Sequence, residues 1–123
     1  MSRIRILLGA ALVVLALAVA GAVPASTQST GKLVGTVGPG FTITLTQSGK
    51  AVKTLTAGTF TITVRDKASI HNFHLFGPGG VNKKTGVSFM GTKTWTVKLV
   101  KGKYTYRCDI HFASGMIGHF TVK

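Results

Sequence analysis

From Lys32 onward the apolar residues recur with a period of two, and this constrains the fold more than any other feature of the chain. Phe41, Ile43 and Leu45 alternate with threonines, and Phe60, Ile62 and Val64 alternate with Thr61, Thr63 and Arg65. Trp95, Val97 and Leu99 repeat the pattern, as do Tyr104, Tyr106 and Cys108, and finally Phe120 and Val122. Side chains two apart along an extended chain share a face, so each run reads as a strand with one side toward a core. Turn signals stand between the runs: Gly38-Pro39-Gly40, Ser48-Gly49, Ala57-Gly58, Gly77-Pro78-Gly79-Gly80 and Lys101-Gly102. No stretch after residue 30 carries a helical period. The spacing predicts an all-β fold, an antiparallel Greek-key sandwich or barrel of seven to eight strands.

The first 30 residues follow another logic. Arg3 and Arg5 precede an uncharged run rich in Leu, Ala and Val from Ile6 to Val23, and small residues follow. This is the layout of a secretory signal peptide, with a cut after Ala25 and an earlier possible one after Ala20-Gly21-Ala22. At roughly 18 residues the run is also long enough to stay as an N-terminal membrane anchor. Either way the expected domain, residues 26–123, sits outside the cytoplasm, in the periplasm or at the cell surface.

Charge and cysteine content exclude several functions. The chain has 15 Lys plus Arg but only two acidic residues, Asp66 and Asp109, for a formal net charge of +13. Without a carboxylate pair to spare, glycosidase and aspartic-protease chemistry are excluded. One Cys cannot form an internal disulfide or a multi-thiolate zinc or iron-sulfur site. Removing residues 1–25 leaves about +11, which suits an acidic protein partner or an anionic envelope surface. Nucleic acid is not the expected partner, because no reader motif interleaves aromatics with the basic residues.

The chemistry is concentrated near the C-terminus. Cys108 closes an alternating strand on its inward phase, His111 follows after two residues and Met116 after four more. A second imidazole is available from Ile70-His71-Asn72-Phe73-His74-Leu75. His71 shares its phase with Phe73 and Leu75 and so points with the apolar face, whereas a bulge would put His74 there instead. Two His and one Cys in a plane with a distant Met form the donor set of a blue-copper centre. A catalytic Cys-His pair is disfavoured, since Cys108 turns inward and no third residue orients a base. No catalytic residue is assigned.

On these residues the chain resembles a cupredoxin of the plastocyanin and pseudoazurin type. The interval from Cys108 through His111 to Met116 equals that family's ligand loop, and Gly118-His119-Phe120-Thr121-Val122 is similar to its last strand. His71-Asn72 matches its upstream His-Asn, where the His is a ligand and the Asn ties the two ligand-bearing segments together. The resemblance implies one type 1 copper ion held by His71, Cys108, His111 and Met116. It also implies single-electron transfer by Cu(I)/Cu(II) cycling between redox partners, by a monomer that is not an enzyme. Ile110 stands where the loop often has Pro, and Arg107 where plastocyanins have an aromatic that forms part of an electron-transfer surface.

Two other readings stand beside it: a periplasmic copper-binding or delivery protein, and a metal-free adhesion domain. Around His111, Phe112, Ala113 and Gly115 are expected to build an apolar rim together with the Gly77 to Gly80 loop. Tyr104 is expected to send its hydroxyl across a strand corner, and His119 to lie on the surface.

Overall fold

The computed structural model describes residues 14–22 and 31–123. The cut after Ala25 and the tail from Ser26 to Thr30 lie outside the described residues. Residues 14–22 form neither helix nor strand, and Val14, Leu15, Leu17 and Val19 are exposed. No helix among the described residues is long and apolar enough to cross a membrane.

The alternating runs become strands. In chain order they are β1 (Gly31–Val37), β2 (Ile43–Gln47), β3 (Lys50–Ala51), β4 (Thr54–Leu55), β5 (Gly58–Asp66), β6 (His74–Gly77), β7 (Val81–Lys84), β8 (Gly91–Leu99), β9 (Gly102–Arg107) and β10 (Ile117–Val122). A 3-10 turn, Phe112–Ser114, precedes β10. Two five-stranded sheets form, one in the order β3-β2-β1-β5-β8 and the other in the order β4-β10-β9-β6-β7. All these pairings and the whole buried cluster lie within residues 31–123, a self-contained β-sandwich.

The sheets are mixed rather than wholly antiparallel. β1 pairs with β5 in parallel, Gly31 against Phe60 through Val37 against Asp66, and β4 pairs in parallel with β10. A parallel neighbour requires a long crossover, which the chain supplies by running through β2, β3 and β4 before β5 returns beside β1. Alternation reports which face is buried and says nothing of strand direction.

The inward phase is the one read from the sequence. Leu33, Val37, Leu45, Phe60, Ile62, Val64, Val97 and Leu99 from one sheet face Leu75, Tyr104, Tyr106, Phe120 and Val122 from the other. Each large side chain removed from water contributes roughly 1.5–3 kcal/mol. The aromatic rings stack in pairs, Tyr104 on Phe120 at 5.2 Å and Tyr106 on Phe73 at 5.7 Å between centroids. The Tyr104 hydroxyl accepts from the Val100 N–H at 3.0 Å and faces the carbonyls of Val100 at 2.9 Å and Pro78 at 3.1 Å. This is the strand-corner bond expected of it, and it fastens the turn between the sheets.

Gly118 sits on the inward phase of β10 opposite Tyr106, and a Cβ there would run into the Tyr106 ring. Gly118→Ala is therefore expected to cost about 1–3 kcal/mol through overpacking, read as a lower urea midpoint. An unchanged midpoint would show that the ring has room to move.

Candidate metal centre

Two segments at one pole of the sandwich carry the candidate donors. The first leaves β5 at Asp66 and crosses to β6, burying His71, Asn72 and Phe73 in succession. Such a non-alternating stretch needs its backbone bonds met elsewhere, and Thr85 meets them. The Phe73 N–H donates to Thr85 Oγ1 at 2.9 Å and the Thr85 N–H donates to the Phe73 carbonyl at 3.0 Å. Thr85 Oγ1 in turn donates to Asp66 Oδ2 at 3.3 Å, while Asp66 Oδ1 accepts from the Ala68 N–H at 3.2 Å. Burial pushes the Asp66 carboxyl above its usual range, and these bonds only partly offset it.

The second segment is the loop after β9. The Cys108 N–H donates to the Met116 carbonyl at 3.0 Å, and the N–H groups of Ser114 and Met116 donate to the His111 carbonyl at 2.9 and 3.3 Å. The loop thus closes on itself and brings Cys108, His111 and Met116 back to one end of the sheet. Cys108 and Met116 are fully buried.

Asn72 joins the segments. Its Oδ1 accepts from the Asp109 N–H at 2.8 Å, and its Nδ2 donates to Asp109 Oδ2 at 2.9 Å and to the Thr85 carbonyl at 3.3 Å.

The result is a compact triangle of donors. The Nδ1 atoms of His71 and His111 lie 2.9 Å apart, and Cys108 Sγ lies 3.8 and 3.7 Å from them. His71, Cys108 and His111 are the residues whose donor atoms converge as a metal-binding group among those described. A point equidistant from the three atoms lies about 2 Å from each, a metal-to-donor bond length. The remaining ring nitrogen of His71, Nε2, is buried without a hydrogen-bond partner, so the imidazole's polar contacts lie toward the cluster. One soft thiolate with two imidazoles is a donor set suited to copper.

His74 is placed differently. Its Nδ1 lies 2.8 Å from Asp109 Oδ1 and its Nε2 2.6 Å from Asn82 Oδ1, which turns the ring away from the triangle. Arg107 Nε also donates to Asp109 Oδ1, at 3.1 Å, and its guanidinium lies over Phe112 at 4.2 Å and Phe76 at 5.2 Å. Burial pushes the Asp109 carboxyl up, but bonds from His74, Asn72 and Arg107 outweigh it and hold the group below the usual carboxylate range.

Two sequence expectations need correction. The Gly77 to Gly80 loop does not rim the site, because β6 starts beside Arg107 and carries the chain away, so its hairpin with β7 turns at the far pole. Phe41 is not an inward strand residue. β2 begins only at Ile43, and Phe41 stands exposed with its ring edge-on to both imidazoles, 5.0 Å from His71 and 4.8 Å from His111. The Gly38-Pro39-Gly40 turn puts it there. Gly38 has φ 71°, and a Cβ on it would press against Ala68 and His71. The expected surface position of His119 is found, with Nδ1 3.0 Å from Thr105 Oγ1 on an exposed face. Met90 is also exposed and outside the site.

No family model and no curated protein matches the chain. Solved structures do. The structure of reduced rusticyanin aligns with TM-score 0.58 and 26% identity over 75% of this chain and 78% of that one. A structure described as the copper protein rusticyanin aligns with TM-score 0.58 and 25% identity over 75% and 76% of the two chains. Rusticyanin from Thiobacillus ferrooxidans aligns with TM-score 0.53 and 28% identity over the same shares.

The lowered Asp109 carboxyl fixes a sign. A group whose folded value is depressed contributes stability above its unfolded value, and that stability is lost as pH falls through the folded value. Asp109→Asn should cost about 1–3 kcal/mol at neutral pH. The variant should also lose less stability than the parent below about pH 4, measured by urea unfolding across pH. Parallel curves would show that Asp109 is not a stabilising carboxylate.

Proposed function

We propose, on the premise that this chain is a cupredoxin by its fold and its His-Cys-His cluster, that it is an exported carrier of single electrons. The observation that carries this reading is the convergence of Cys108 Sγ with the Nδ1 atoms of His71 and His111. Copper, when bound, supplies a centre that takes up and gives back one electron without a proton.

The chain's own residues would do the rest. His71, Cys108 and His111 would hold the ion, with Met116 as the weak fourth donor from the same loop. Thiolate favours the reduced ion and imidazole suits both states, so the mixed set serves a carrier better than a set of one kind. The bonds of Asn72, Thr85 and the loop carbonyls fix the donors before an electron arrives, which keeps rearrangement small. Burial of His71, Cys108 and Met116 favours electron carriage over hand-off of the metal, since an incoming ligand needs open approach.

His111 is the partly exposed imidazole and therefore the natural port. Phe41, Ile110 and Phe112 surround it with exposed apolar surface, suited to brief contact with a redox partner that sheds water at the touch point. Acidic groups on that partner would answer the basic surface beyond the rim.

Adding Cu(II) to the apoprotein should give an intense blue colour at one copper per chain. Cys108→Ser should abolish the colour while leaving the β circular-dichroism signature in place. Stoichiometric copper without colour in the parent chain would overturn the reading. Phe41→Ala should speed copper loss to a chelator by uncovering both imidazoles, and an unchanged rate would remove Phe41 from any shielding role.

A further inference from the structure

We propose that the pole opposite the His-Cys-His cluster is a docking face for an anionic lipid bilayer, which holds the domain with the cluster turned outward. The inference rests on charge and topology and does not draw on the metal reading.

The strand register defines the two poles. Gly31 lies beside Phe60 near the start of β5, Gly58 opposes Leu99, and Gly102 opposes Val122. The Ser48-Gly49 and Gly77 to Gly80 turns close their hairpins at this same end. The donor segments lie at the other end, beyond Asp66 and Arg107.

Lys32, Lys50, Lys53, Lys98, Lys101 and Lys103 all belong to the first pole, and all are exposed. No acidic side chain answers them. The chain's two acids are both at the cluster pole, where Asp66 is buried and Asp109 is bonded to Arg107, His74 and Asn72. The side chains of the lysine pole thus carry charge of one sign, and lysines near an anionic leaflet are attracted within about one Debye length, ~8 Å at physiological salt.

The occupant is indicated by charge and by the sequence that leads into the sandwich. Gly31, the first residue of β1, is on the lysine pole, and in the sequence seven residues separate it from the apolar run Ile6 to Val23. Within the described part of that run, Val14, Leu15, Leu17 and Val19 remain exposed instead of packing on the sandwich. Exposed apolar side chains upstream in the chain and a lysine-rich surface where the sandwich begins both suit a bilayer, whose interior takes the first and whose anionic headgroups take the second. If the leader is removed, the lysines still supply the docking face. The partly exposed His111 then faces away from the lipid, toward whatever approaches.

The test uses residues 26–123, which contain the whole sandwich, with phosphatidylglycerol vesicles and phosphatidylcholine vesicles in co-sedimentation. Binding is expected to the anionic vesicles only, and to weaken steeply with added salt. The quadruple change Lys50→Glu, Lys53→Glu, Lys101→Glu and Lys103→Glu should reduce binding on the order of a hundredfold or more. The same number of reversals at Lys67, Lys83, Lys84 and Lys93 should reduce it by less than about tenfold. If the Glu set fails to fold by circular dichroism, Gln at the same four positions reads the same contrast between poles. The proposal is overturned by absence of binding to phosphatidylglycerol, or by losses at the cluster pole that equal or exceed those at the lysine pole. Binding to a soluble acidic polypeptide but not to vesicles overturns it as well.

Discussion

The side chain of Asn72 holds together two segments that lie 37 residues apart in the chain. It accepts from the Asp109 backbone, donates to the Asp109 carboxylate and donates again to the Thr85 carbonyl. One amide therefore links the His71 segment, the Cys108 loop and the stretch after β7. Each contact is an ordinary hydrogen bond with a net worth of about 1 kcal/mol, but leaving those buried groups unmade would cost more. The β6–β9 pairing sets His74 beside Arg107, and this tie carries the two segments on from there to where three donor atoms converge. A metal centre built on loops needs such support if its donors are to keep their positions.

The placement of the two acids follows the same logic. A chain this basic could scatter its carboxylates as surface counter-charges, yet it puts both into the frame of the donor segments. Asp66 bonds to Ala68 and Thr85 and pays for burial with a raised carboxyl, while Asp109 collects bonds from three side chains and is held low. Arg107, the cation that pairs with Asp109, is drawn in between the Phe76 and Phe112 rings. Position 107 is therefore no route for electrons through an aromatic side chain of its own. It is a clasp on the outer face of the β9 end.

Much of this was legible in the sequence, because strand alternation is a direct record of burial. The inward phases of β5, β8, β9 and β10 follow it residue by residue, and the preference for His71 over His74 in the triangle came from the same parity. Parity carries no information on direction, which is why the parallel pairings of β1 with β5 and β4 with β10 did not show. It also misleads beside a turn. Phe41 fits the alternation of Ile43 and Leu45, but the Gly38-Pro39-Gly40 turn lifts it out of the strand and over the imidazoles. A large aromatic directly after a Gly-Pro-Gly turn was the available signal. The Gly77 to Gly80 loop lies only three residues beyond His74 in the sequence but at the other pole, because a strand carries its two ends apart. The sequence resemblance is to plastocyanin and pseudoazurin, while the aligned solved structures are rusticyanins, so the likeness is to a shared fold and donor set rather than to that subtype.

The full burial of Cys108 has a consequence under oxidising conditions. Thiol–disulfide exchange requires a thiolate to meet a sulfur along an open line of approach. A protein with one cysteine has no internal partner, so its ordinary fate under oxidising conditions is a disulfide with a second copy or a mixed disulfide with a small thiol. With Cys108 fully buried beside His71 and under the closed ligand loop, neither reagent reaches its sulfur. The sandwich thereby keeps free the one thiol that oxidation would otherwise consume.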